Sequence, residues 1–175
     1  MRLAITLTLA AILSFAAGFA AAEPPGSAFA SFPGRWTGEG RLGFKDGKTE
    51  AVTCRATYFV DETSGDLSQN IRCASPSGKI EVKSHVVEKD GLLSGTWNEL
   101  IYNMSGELTG KVTKAGFLVA VKGTGESDLN ATMDILVKDT RQIVEIHFNS
   151  STLLGLTLVL AKSTSDQTSE SQVQN

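Results

Sequence analysis

From residue 34 to residue 162 apolar and polar side chains alternate, and turn residues break the alternation at short, even intervals. Ile80, Val82, Ser84 and Val86 share one face, with Glu81, Lys83 and His85 on the other. Leu129, Ala131, Met133, Ile135 and Val137 oppose Asn130, Thr132 and Asp134 in the same way, and Val144, Ile146 and Phe148 oppose Glu145 and His147. A period of two sends successive side chains to opposite sheet faces, so each run predicts a half-buried strand. Asp46-Gly47, Ser64-Gly65, Ser77-Gly78, Asp90-Gly91, Ala115-Gly116, Thr124-Gly125 and Asp139-Thr140 supply the turns. About ten strands result, over 35–44, 50–60, 66–75, 79–88, 92–101, 103–113, 117–123, 127–138, 142–149 and 152–162. No segment of helical period separates them. The pattern predicts an all-β fold, a single antiparallel up-and-down barrel of about 8–10 strands, rather than a βαβ fold.

Two cysteines set the register of one hairpin. If Val60 faces Leu67 across the turn at 62–65, then Tyr58 faces Gln69, Ala56 faces Ile71 and Cys54 faces Cys73. Directly opposed residues lie roughly 4.5–5.5 Å apart at Cα, within the reach of a disulfide. One cross-strand disulfide, Cys54–Cys73, is therefore expected. The same register puts Arg55 opposite Arg72 on the outer face. Like charges there are unfavourable unless bridged, and Glu39 beside Arg55 is the expected bridge, an anionic partner being the alternative. The last strand, Thr152 to Lys162, is apolar on both faces, as in a strand covered on both sides or closing a seam.

The ends of the chain read differently. Residues 1–22 have the form of a cleaved signal peptide, with Arg2, an apolar run from Leu3 to Phe19, and Ala20-Ala21-Ala22 at the cleavage site. Residues 23–33 form a Pro/Gly/Ser-rich, flexible lead-in carrying Phe29 and Phe32, and 163–175 a polar, disordered tail. The barrel domain occupies 34–162. Export to the periplasm or the extracellular space agrees with a disulfide, which persists in oxidising compartments. The full chain has 16 Lys and Arg against 19 Asp and Glu, and this mild acidity offers no footprint for nucleic acid. Outward positions such as Glu81, Lys83, Thr132 and Glu145 could not face hydrocarbon, so the mature chain is not expected to span a membrane.

Gly34-Arg35-Trp36 opens the first strand, and Ser94-Gly95-Thr96-Trp97 repeats a Gly-x-Trp later. A Gly-x-Trp at the start of strand one of an antiparallel β chain resembles the signature of the calycin superfamily, the lipocalins and their relatives. The resemblance implies a barrel whose closed end is packed by Trp36. About ten strands suits the fatty-acid-binding and nitrobindin-like calycins in number. The helical lid of fatty-acid-binding proteins has no room in residues 45–49, and the C-terminal helix of lipocalins has no counterpart. Nitrobindin-like barrels hold haem through a histidine late in the chain. His147 is the matching position, and it shares the polar face with Glu145.

By parity the interior wall includes Trp36, Tyr58, Gln69, Trp97, Glu99, Met104, Phe117, Met133 and Phe148. Tyr58, Gln69 and Glu99 are the groups able to orient a ligand, and Phe29 and Phe32 would cover the barrel mouth. A mainly apolar interior with a few polar groups suits a small-molecule site. The same side chains could also fill the barrel as a solid core, and the sequence leaves both open. Gly-x-Ser-x-Gly, paired histidines and Cys-x-x-Cys are all missing, and Glu99 is a lone inward carboxylate. No catalytic residues, metal or cofactor are expected. The expected function is non-enzymatic binding of a small apolar or amphipathic molecule. The alternatives are a protein-binding module, such as a protease or lysozyme inhibitor inserting residues 23–33 into its target, and a structural envelope protein.

Overall fold

Every alternating run forms a strand in the computed structural model, which describes residues 27–125 and 129–163. The signal-peptide reading of 1–22, the start of the lead-in and the tail beyond residue 163 lie outside the described residues. Ten strands follow one another: β1 (Gly34–Phe44), β2 (Thr49–Val60), β3 (Leu67–Ser75), β4 (Gly78–Lys89), β5 (Leu92–Glu99), β6 (Met104–Val112), β7 (Gly116–Gly123), β8 (Asn130–Lys138), β9 (Arg141–Phe148) and β10 (Leu153–Lys162). Each pairs antiparallel with its sequence neighbours, and β1 pairs with β10 to close the barrel. Closure leaves no free sheet edge. Two boundaries differ by more than one residue: β8 begins at Asn130 rather than residue 127, and β5 ends at Glu99 rather than residue 101. Residues 100–103 are a tight turn finished by Asn103 at a φ of 54°, in the left-handed region that asparagine tolerates.

The β2–β3 register is the one the cysteines require, with Val60 opposite Leu67 and Cys54 opposite Cys73. The two form a disulfide across a Cα separation of 4.1 Å. Both face inward, and Cys54 has no exposed surface. The bridge closes a loop spanning 19 positions. Loop-closure entropy then gives about 3 kcal/mol, so Cys54→Ala/Cys73→Ala should lose that much in urea denaturation at unchanged m. A loss under about 1 kcal/mol would mean that the ladder alone holds this hairpin.

On the outer face Arg55 does oppose Arg72, but Glu39 is not the bridge. Arg72 Nη2 lies 2.9 Å from Glu81 Oε1, because Glu81 stands directly opposite Arg72 on β4. Glu39 instead faces Thr53 and Val159. The Arg72 hydrogen bond holds the Glu81 carboxyl below the usual carboxylate range.

Strand β10 closes the seam without being covered outside. Leu156, Leu158 and Leu160 point into the core while Leu154 and Val159 are exposed. Val159, Ile143 and Leu136 oppose one another along successive ladders and make an exposed apolar row. The seam is tight. A Cβ added to inward-facing Gly38 would come within 2.8 Å of the Leu160 Cα, and one on Gly40 within 2.9 Å of the Leu158 Cα. Side chains at either position would push the closing strands apart.

Candidate functional site

The barrel is plugged at one end and hollow beyond the plug. Ser27–Phe32 fold into a turn, with the Phe32 amide donating to the Phe29 carbonyl at 2.9 Å. This turn drives both phenylalanines inside, where they are 2% and 4% exposed. Phe32 packs edge-on against Tyr58 and Phe117, with ring centroids 5.2 and 5.5 Å away, while Phe29 stacks on Phe117 at 5.6 Å. Trp36 lies beneath them and donates from Nε1 to the Phe32 carbonyl at 2.8 Å. Lys162 Nζ donates to the Ser31 carbonyl at 3.2 Å and reaches over the Trp36 ring. The described part of the lead-in is therefore a packed plug, not a loose cover at the mouth. The reason is aromatic burial: rings at 29 and 32 find Tyr58 and Phe117 at the end where the chain enters.

A cavity of about 450 Å³ extends from this plug toward the other end of the barrel. At its mouth it is lined by Ile80, Tyr102, Leu129 and Leu153, and Tyr102 is more than half exposed. Strands β6 to β10 contribute an almost continuous apolar wall, including Leu108, Val119, Met133, Ile146 and Leu158. Of the residues expected on the interior, Tyr58, Gln69, Trp97, Glu99, Met104, Phe117, Met133 and Phe148 all line this cavity. Trp36 does not. It is wholly buried in the plug, the place that the calycin resemblance implied for it.

Polar groups cross the wall in one line. Tyr58 on β2 opposes Gln69 on β3, Gln69 opposes Ser84 on β4, and Ser84 opposes Trp97 on β5. Tyr58 Oη extends the line by donating to Gln142 Oε1 on β9 at 3.1 Å. Burial pushes the Tyr58 phenol up, so it stays neutral and remains a donor. Ser84 and Gln142 line the cavity although neither is among the wall residues expected from the sequence. Parity carried the signal in both cases, since each shares a face with valines that point inward. Trp97 lies against Gly106, its direct partner on β6, where an added Cβ would come within 2.7 Å of the indole nitrogen.

Glu99 lines the cavity but is already engaged. Its carboxylate accepts from the amides of Glu81 at 2.9 Å, Ile101 at 3.0 Å and Tyr102 at 2.6 Å. It therefore organises the 100–103 turn and is not a free group for orienting a ligand. The histidines are outside: His147 is exposed on β9, and His85 lies 3.4 Å from Asp66 Oδ2 on the outer surface. His147 cannot serve as an axial ligand within the barrel. Among the described residues no three His, Cys, Asp or Glu side chains cluster as a metal site. What the arrangement can do is hold an apolar body against a wall that carries one polar line.

No protein-family model and no curated protein matches the chain. Among solved structures it is similar to Rv2717c from M. tuberculosis, with a TM-score of 0.62 and 10% identity over 78% of this chain and 95% of that one. It is also similar to the S-type phycobiliprotein lyase CPES from Guillardia theta, with a TM-score of 0.52 and 11% identity over 77% and 90% of the two chains. Identities this low speak for the fold alone, and together with the closed ten-strand antiparallel barrel they fit a calycin-like fold.

Proposed function

We propose that the protein is an exported, non-enzymatic barrel that binds a small apolar or amphipathic molecule in its interior. The observation that carries this reading is the cavity of about 450 Å³, plugged at one end and walled mainly by aliphatic and aromatic side chains. Small-molecule sites commonly measure roughly 300–1,000 Å³ and combine such walls with a few polar groups. The buried Cys54–Cys73 disulfide supports export. A barrel of similar fold occurs in a phycobiliprotein lyase. Against catalysis stands Glu99, the one carboxylate among the described residues that line the cavity, whose oxygens are taken up by backbone amides. A membrane-spanning barrel is disfavoured by Glu39, Arg55, Glu81 and Glu145 on the outer face. Among the described residues no helix is long and apolar enough to cross a membrane. An inhibitor that inserts residues 23–33 is also disfavoured, because Phe29 and Phe32 are committed to the plug.

Val121→Trp is the direct test, since Val121 is a partly buried wall residue on β7 with space before it. The expected result is that protein isolated from its own envelope fraction retains a small molecule in native mass spectrometry, and that Val121→Trp does not. Circular dichroism should be the same for both. Equal retention by the variant would place the bound molecule outside the barrel and end the reading.

A further inference from the structure

The polar line has unused capacity in a place where such capacity is costly. Ser84 Oγ, Trp97 Nε1 and Gln142 Nε2 are buried and have no hydrogen-bond partner among the described residues. Their side chains are 8%, 4% and 1% exposed. Buried polar atoms are nearly always paired, and an orphan calls for a specific reason. Here three orphans border one cavity, and two of them, Ser84 and Trp97, are directly opposed on neighbouring strands. Half-buried Gln69 adjoins Ser84 on the other side. The rows flanking this line are apolar apart from Glu99: Ala56, Ile71 and Val82 lead to it on one side, and Leu67 and Val86 lie on the other.

We infer that the molecule held in the barrel is an uncharged lipophile carrying a hydrogen-bond-accepting oxygen of carbonyl type, seated at the Gln69–Ser84–Trp97 line. The inference rests on the interior-binding reading and goes beyond it by specifying the ligand's chemistry. The orphans determine the sign of the complement. An indole N–H can only donate, the free nitrogen of Gln142 can only donate, and a hydroxyl can do so as well. The ligand must therefore supply acceptors. Charge excludes the commonest rival. Among the described lining residues the only cation is Lys79, which sits at the mouth at the start of β4. A carboxylate at the polar line would be a buried charge without a partner, which burial penalises heavily. A pure hydrocarbon would leave the three orphans as they are.

A matched probe set separates these cases. Diphenylhexatriene, a hydrocarbon dye, reports occupancy of the apolar cavity alone. Against it compete a long-chain methyl ketone, the chain-matched carboxylate at neutral pH and the chain-matched alkane. The ketone should displace the dye at a concentration lower by about tenfold than either competitor, the effect of one or two net hydrogen bonds. Its carbonyl stretch should shift to lower frequency on binding. Gln69→Leu/Ser84→Ala should abolish the ketone's advantage while dye affinity stays within about twofold. If that variant fails to fold, Trp97→Phe keeps most of the ring and tests the same line. A carboxylate that wins, ignores these substitutions and weakens in Lys79→Gln would place a charged head at the mouth, overturning the inference while the cavity reading stands. Failure of the dye itself to bind would overturn both.

Discussion

Replacing Phe32 by alanine should cost about 4 kcal/mol, a large loss for a single truncation. Phe32 is 4% exposed and meets Phe29, Tyr58 and Phe117 edge-on, so truncation removes buried surface and three favourable aromatic pairs together. It also opens space over Trp36, whose indole hydrogen bond depends on where the Phe32 carbonyl sits. Against the roughly 5–15 kcal/mol of a typical domain this is a large fraction of total stability. The thermal midpoint should fall by roughly 10 °C. Phe59→Ala is the matched control, because Phe59 is 65% exposed on the outer face and should change stability by under about 0.5 kcal/mol. Equal midpoints for the two variants would show that residues 27–33 do not hold the closed end in solution. The aromatic plug would then be free to act elsewhere, and the inhibitor reading would regain its ground.

The architecture was legible because two independent patterns agree. Period-two alternation located each strand, and the cysteine pair fixed one register to the residue, including the awkward opposition of Arg55 and Arg72. Parity carried most of the wall as well, since it depends only on which positions alternate. What could not be read was anything that depends on the register of ladders that no cysteine spans, or on where the ends turn. Glu81 neutralises Arg72 because β4 lies beside β3, a ladder whose register no cysteine reports. Phe29 and Phe32 belong to a segment with no periodicity, and their burial at the closed end depends on Tyr58 and Phe117 converging there from distant strands. Glu99 shows the limit of parity most sharply. Alternation sends its side chain inward correctly, but only the turn after it says what the carboxylate does there.

That turn gives the second large effect, a loss of about 4 kcal/mol for Glu99→Ala. Glu99 is 3% exposed, and its two oxygens collect the amides of Glu81, Ile101 and Tyr102. Hydrogen bonds to a charged acceptor are each worth about 1.5–3 kcal/mol, and removing the acceptor strands its donors. Solvent can reach part of the turn, since Ile101 and Tyr102 are exposed, which keeps the total below the sum of three such bonds. Glu99→Gln should lose only about 2 kcal/mol, because its amide oxygen still accepts while its nitrogen meets donors and gains nothing. This ordering separates a hydrogen-bonding role from simple filling of space, under which the near-isosteric glutamine would be silent. The consequence should also reach the cavity, because the same turn carries Tyr102, whose hydroxyl would lie 2.9 Å from a Cβ at Gly78 across the mouth. With the carboxylate gone, Leu100–Asn103 loses the clamp that aims Tyr102 over the opening. Diphenylhexatriene should then exchange faster from Glu99→Gln than from the parent in stopped-flow fluorescence, with little change in how much is bound. Unchanged exchange alongside the expected stability loss would show that the turn shapes the barrel end without gating it.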